Sequence, residues 1–380
     1  MTQTVAPVSQ VAIAKQPGPN KGIGLALSGG GYRAMLFHLG AFIRLFELGL
    51  LKDIDRISSV SGASITSAKV ALEWKRLKTR DDLFDHVVVP IRRLARWPID
   101  IPCVAAGLLT PWTVSECIAG ALRAFLFGNA SIRQIPTRPQ FIFDATNVET
   151  GTLWRITRDY MADWKVGRIE SAYVRLAEAV AASAAFPPFL SPYVLGVRPA
   201  DFKTVYRECK DRRLLSDIAL TDGGVYDNLG LETIWKSYRN VLVSDASAAL
   251  QSDPRPARNW LSHSGRVIGI AYGQAASLRK RQLIASYKAP DGDTNKRRGA
   301  YWGIGSDIKN YHFGDALEAQ HERTEKLAKL GTQLRPFRFF SKELDERLIN
   351  WGYAICDTAV RKHFGQRNNP TAKFPYPGGV

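Results

Sequence analysis

The chain has 380 residues, 45% of them hydrophobic, which is enough for a sizeable core in one large domain or two ordinary ones and excludes a disordered chain. Its 52 Lys and Arg against 35 Asp and Glu give a formal charge of +17, which favours anionic partners: membrane surfaces, acidic substrates or nucleic acid. The four cysteines, Cys103, Cys117, Cys209 and Cys356, lack any metal-ligand or disulfide spacing, so no zinc site or disulfide framework is expected and a reducing cytosol fits best.

Residues 1–20 contain Gln, Pro and Lys without the apolar run of a secretory signal and read as a flexible leader. Residues 22–28 form an apolar strand that breaks into Gly29-Gly30-Gly31 and then enters a helix over 32–48, with Leu36, Leu39, Ile43 and Phe46 at helical spacing. A second strand over 57–60 stops at Ser61-Gly62 and enters a helix over 62–77. Residues 78–138, with prolines at 90, 98, 102 and 111, predict short helices laid over the sheet, where they could act as a lid or touch lipid. Within them 117–127 is too short to span a bilayer and carries Arg123, so membrane contact is expected to be peripheral.

Residues 140–146 predict another strand, and 176–185 an alanine-rich helix halted by Phe186-Pro187-Pro188. Strands over 218–221 and 240–244 each end in a polar turn, at Asp222-Gly223-Gly224 and at Asp245. A further strand is expected over 266–270, followed by a charged tail with basic clusters at Arg279-Lys280-Arg281 and Lys296-Arg297-Arg298. Strands alternating with helices imply an α/β fold of three layers, a mostly parallel central sheet covered by helices on both faces. The organisation is a leader (1–20), a catalytic core (21–250) and a helical C-terminal extension packed on it (251–380).

Ser59-Val60-Ser61-Gly62-Ala63 is a relative of the G-x-S-x-G elbow, which needs small neighbours because strand and helix pack tightly beside a strained serine. Ser64 competes with Ser61 but falls one turn into the helix. Gly29 to Ala34 can also be written as the dinucleotide fingerprint G-x-G-x-x-A, yet no acid ends the next strand to hold a ribose. Loop amides aimed at an oxyanion need the same glycines and account for the serine. None of the six histidines, His38, His86, His263, His312, His321 and His363, sits where a hydrolase base is expected, though His263 and His312 fall late enough to serve. Asp222, at a strand end with two glycines beside it, is the preferred partner of Ser61; Asp144 and Asp245 read as turn or capping residues.

The glycine loop, the elbow over 59–63, the segment over 181–188 and the Asp222-Gly223-Gly224 turn occur in an order that resembles bacterial patatin-like phospholipases. Ser59 and Ala63 stand where that family usually has glycine, as does Ala34 after the arginine. The resemblance covers residues 22 to about 250. It implies a Ser61-Asp222 dyad, oxyanion donors at Gly29, Gly30 and Gly31, supporting roles for Arg33 and Gly62, and hydrolysis of lipid acyl esters without metal or cofactor. Arg33 would fix the glycine loop or meet a headgroup phosphate. The expected partners are a phospholipid or other acyl lipid and an anionic membrane surface, with the protein cytoplasmic and peripheral at the membrane, and no nucleic acid. Rival readings are a catalytically silent lipid- or nucleotide-binding module and a Ser-His-Asp esterase. Some patatin-like enzymes are effectors in bacterial antiviral systems, and a nucleotide activator could bind the tail after Ser252.

Overall fold

The computed structural model describes residues 19–109, 113–170, 173–247, 252–330, 341–365 and 370–380. The expected leader, apart from its last two residues, and the expected core boundary at residue 250 lie outside the described residues. The strands are β1 (Asn20–Leu27), β2 (Ile54–Val60), β3 (Gln140–Asn147), β4 (Thr152–Thr157), β5 (Tyr160–Asp163), β6 (Gly167–Glu170), β7 (Tyr193–Leu195), β8 (Phe202–Val205), β9 (Ile218–Asp222), β10 (Tyr238–Asp245) and β11 (Arg298–Gly303). The helices that build the site are α1 (Gly31–Glu47), α2 (Gly62–Glu73), α3 (Leu176–Ser183), α4 (Trp260–Lys288) and α5 (Lys342–His363).

One sheet runs β11-β10-β1-β2-β3-β4-β5-β6-β8, with β9 pairing to both β3 and β7. The five strands β11, β10, β1, β2 and β3 are parallel, and beyond β3 the sheet continues as an antiparallel ribbon. The fold is the expected three-layer α/β arrangement. Side chains alternate across β1: Leu25 and Leu27 enter the main core under α1, whereas Ala26 joins Val241, Val243, Ile234 and Leu283 in a smaller core on the opposite face. Crossover connections between parallel strands put helices on both faces, which is why the inner strands are apolar on both sides.

Helix α1 is buried on nearly every side because α5 covers the face that the sheet does not. Backbone touches backbone there: a Cβ on Gly40 would stand 1.9 Å from the Ile349 carbonyl oxygen, and one on Gly352 would stand 1.9 Å from that of Phe37. Arg44, buried inside this pair, is matched by Asp357 at 2.7 Å, both side chains being buried. An unpaired guanidinium at that depth would be costly.

The structure corrects one element. The strand expected over 266–270 is the second and third turns of α4, a 29-residue helix. The run Arg266-Val267-Ile268-Gly269-Ile270 has β-branched residues, but a short apolar run does not distinguish strand from buried helix. Tertiary context decides. The Asn259 side chain caps the helix by accepting from the Ser262 N–H at 2.9 Å, and Arg279 and Lys280 anchor its far end to Asp227, Glu232 and Asp245. The C-terminal extension is helical, with β11 added to the edge of the parallel sheet.

Candidate active site

The glycine loop follows β1, Ser61 follows β2 and Asp222 ends β9, so all three gather at one rim of the sheet. That rim carries the C-terminal ends of the parallel strands, where α/β folds place their ligands. Ser61 makes the whole turn between β2 and α2 at φ 57 and ψ −128, a conformation unfavourable for a residue with a Cβ. Two contacts hold it. A Cβ on Gly62 would stand 1.8 Å from the Gly31 carbonyl oxygen, so the elbow and the glycine loop touch through main chain alone. The Ser61 N–H donates to Ser183 Oγ at 3.1 Å, and Ser183 Oγ in turn donates to the Asp144 carbonyl at 2.7 Å.

Ser64, the competing serine, is fully buried, and its hydroxyl lies 3.2 Å from Ser59 Oγ and 2.9 Å from Ser183 Oγ. Ser59, two residues before the elbow serine, is accommodated by donating to the Ile142 carbonyl at 3.3 Å.

The glycine loop uses conformations that side chains rarely adopt: Gly30 has φ 150 and Gly31 φ 57. The three expected donors divide. The Gly29 N–H is spent on the Asn228 carbonyl at 2.9 Å, whereas those of Gly30 and Gly31 have no partner among the described residues and stand at the start of α1. Arg33 is fully buried. Its Nε donates to the Ala246 carbonyl at 3.0 Å, and its Nη1 to the carbonyls of Ala328, at 3.1 Å, and Leu330. This is the geometry of a residue that fixes the loop. Burial lowers its pKa to about 10, partly offset by Asp245.

Asp222 is 1% exposed. Its Oδ1 accepts from the Gly224 N–H at 2.7 Å, while Oδ2 is buried and lacks a hydrogen bond of full geometry among the described residues. Burial raises its pKa to about 6, opposed by the nearby Ser61 hydroxyl and the Gly224 amide. The Ser61 hydroxyl is therefore close enough to the carboxylate to act on its proton affinity. Gly223 is required beside it, because a Cβ there would stand 2.2 Å from the Asp144 carbonyl oxygen.

Ser61, Gly62, the three loop glycines and Asp222 line one cavity of about 450 Å³. Leu94, at the end of a short helix over Val89–Ala95, and Trp97 and Ile99, in the connection that follows it, supply part of its apolar wall, and α4 lines it as well. Among the described residues no histidine lines this cavity. His38 is buried elsewhere, between Ser244 Oγ at 2.8 Å and the Ser28 carbonyl at 2.9 Å, and burial lowers its pKa to about 4. Asp245 is a structural residue: burial pushes it up, but Lys280 at 2.5 Å with Ser247 and Tyr301 outweighs that and holds it below the usual range. Ser183, Asn228 and Tyr272 also stand at this site; Ser183 lies in the 181–188 segment that the sequence singled out without a role, and Asn228 and Tyr272 carried no signal of their own.

The patatin-like phospholipase profile matches residues 25–235, more than half of the chain. The chain belongs to the patatin-like phospholipase family. The match spans the glycine loop, Ser61 and Asp222 and leaves out α4, β11 and α5. Among solved structures, human GIVD cytosolic phospholipase A2 is similar with a TM-score of 0.53 at 13% identity, over 90% of this chain and 61% of that one. Its complex with methyl gamma-linolenyl fluorophosphonate gives 0.50 at 14% identity, over 92% and 60%. VipD from Legionella pneumophila gives 0.39 at 13% identity, over 92% and 68%. The likeness to the phospholipase A2 is one of fold, and this chain spans about three-fifths of its length. No curated protein matches the chain.

The Gly31–Gly62 contact predicts that Gly62→Ala will lower unfolding stability by about 1–3 kcal/mol in denaturant titration, because the added methyl strikes main chain. Gly120→Ala, where an added Cβ meets nothing within 4 Å, serves as the control and should be neutral or stabilising. Equal stabilities for the two variants would contradict the contact.

Proposed function

We propose that the protein hydrolyses fatty-acyl esters of membrane lipids, with Ser61 as nucleophile, Asp222 as general base and the amides of Gly30 and Gly31 as the oxyanion hole. The observation that carries this reading is the buried Oδ2 of Asp222, without a hydrogen-bond partner among the described residues, in the same cavity as Ser61 and the amides of Gly30 and Gly31. A carboxylate with a pKa near 6 is ionised at neutral pH yet basic enough to take a proton in the transition state. As the Ser61 oxygen attacks the ester carbonyl, its proton passes to Asp222 and the carbonyl oxygen becomes negative against the glycine amides. Collapse of the tetrahedral intermediate expels the alcohol, which takes the proton, and leaves an acyl-serine. Water, deprotonated by the same carboxylate, then releases the fatty acid. A histidine-dependent esterase is less well supported, because the histidines stand away from this cavity.

A lipid surface is the setting that the exterior supports. Helix α4 contains no acidic residue, and on its face opposite the cavity Trp260 (79% exposed), Val267 and Leu278 stand in the open. Trp97 and Phe125 form an exposed stacked pair, and Trp97 also lines the cavity. Apolar side chains on an acid-free helix of a basic protein suit the headgroup region of an anionic bilayer. Among the described residues no helix is long and apolar enough to cross a membrane.

Two experiments test these readings. With a soluble p-nitrophenyl ester, Asp222→Asn should lower kcat/KM by about 100- to 10,000-fold and Ser61→Ala should abolish turnover. Wild-type kcat/KM should fall about tenfold per pH unit below about 6, where Asp222 becomes protonated. Unchanged activity in either variant would end the assignment. For the surface, a Ser61→Ala protein should sediment with phosphatidylglycerol vesicles, and adding Trp260→Ser, Val267→Ser and Leu278→Ser should release it. Equal sedimentation with and without those three changes would rule out this face.

A further inference from the structure

Helix α4 turns a glycine-rich face to the reaction centre. Gly265, Gly269, Tyr272, Gly273 and Ala276 line the cavity, and their spacing places them on one stripe about 100° wide. Glycine in the middle of a helix is unfavourable, so three in nine residues need a reason. Close packing is not the reason. A Cβ added to Gly265 or Gly273 meets nothing within 4 Å, and neither has the positive φ that would demand glycine. Contrast Gly40 and Gly352, where an added Cβ strikes main chain at 1.9 Å. The room beside α4 therefore belongs to whatever fills the cavity.

The remaining surfaces define that occupant. Across from the stripe stand Met35, Ile65, Leu94, Ile99, Ile118 and Leu190, which offer an alkyl chain dispersion contacts and no hydrogen bonds. Most polar groups of the lining gather near Ser61, and Asp100, beside Ile99, is the acid outside that group. At the reaction end Asp222, 1% exposed, holds Oδ2 buried without a hydrogen-bond partner among the described residues, and the Tyr272 hydroxyl is likewise buried and unpartnered. The Tyr272 ring stacks on Phe186 with centroids 5.8 Å apart, which fixes the glycine face relative to the Asp222 segment.

We propose that the glycine face of α4 is the wall of an acyl subsite, taking the straight hydrocarbon chain of the scissile ester, and that the lack of side chains at Gly265, Gly269 and Gly273 sets the length and bulk of chain admitted. The inference rests on the reading of the protein as an acyl hydrolase. A leucine at Gly273 or Gly265 projects into the space the chain needs and leaves the reaction end untouched.

The test compares wild type, Gly273→Leu and Gly265→Leu on p-nitrophenyl butyrate and p-nitrophenyl palmitate, together with binding of a fluorescent C16 fatty acid and thermal melting. At least one leucine variant should lose about tenfold or more in kcat/KM on palmitate and bind the C16 acid correspondingly weakly, with butyrate turnover little changed. Melting temperatures should hold or rise, since a helix former replaces glycine in open space. Equal losses on both esters, no loss on either, or a lowered melting temperature in both variants would overturn the proposal. If wild type turns over neither ester the acyl-hydrolase reading fails, and C16 binding that both leucines weaken would still identify the subsite.

Discussion

The carbonyl oxygen of Gly31 lies against the α-carbon of Gly62, so two strand-to-helix turns meet through main chain with no side chain between them. The reactive rim depends on that contact. It brings the open amides of Gly30 and Gly31 into the cavity that Ser61 enters, and it forces the chain at Ser61 through a backbone conformation that only the surrounding structure can hold. The supports are spread along the chain. Ser183 accepts the Ser61 N–H, Asn228 takes the Gly29 N–H, the Tyr32 hydroxyl donates to Asp345, and Arg33 ties the start of α1 to carbonyls near residues 246 and 328–330. Placement of the serine is thus a property of the whole core and of the C-terminal extension that clamps α1.

Three buried carboxylates at this rim have different surroundings, and the difference supports the role proposed for Asp222. Asp245 meets Lys280 and the Tyr301 hydroxyl, and the pairing holds its proton affinity down. Asp144 is pushed well above the usual range by burial, although the Ser58 hydroxyl donates to it at 2.5 Å, and Asp227 adds like-charge repulsion. Asp222 lies between these extremes, raised to about 6 and lacking a cation. A base must be ionised and still eager for a proton. Of the three, only the last combines that affinity with a place on the cavity wall beside a hydroxyl.

Much of this was legible because parallel strands announce themselves as apolar runs that stop at glycine or a polar turn. The strands before Gly29, Ser61 and Asp222 lie close to where the sequence puts them, and the small residues around Ser61 mark a crowded turn before any contact is known. The antiparallel ribbon from β4 to β8 is less visible: its later strands are three or four residues long and owe their form to neighbours rather than to pattern. Helix α4 was misread for a related reason, since Val267-Ile268 looks like strand until Asn259 and the ion pairs of Arg279 and Lys280 are placed. The roles of Ser183, inside the marked 181–188 segment, and of Asn228 were unreadable because their contacts span 122 and about 200 positions. The sequence shows that an alanine-rich helix carries a serine, and only the fold shows which amide that serine receives.

The claim that a strained Ser61 is the nucleophile is tested most directly by treating the protein with a fluorophosphonate and mapping the adduct by peptide mass spectrometry. The account predicts one modification, on Ser61, and its loss when Gly62 is replaced by alanine. An adduct on Ser64, on Ser183 or on a residue outside the cavity, with Ser61 unmodified, would contradict it.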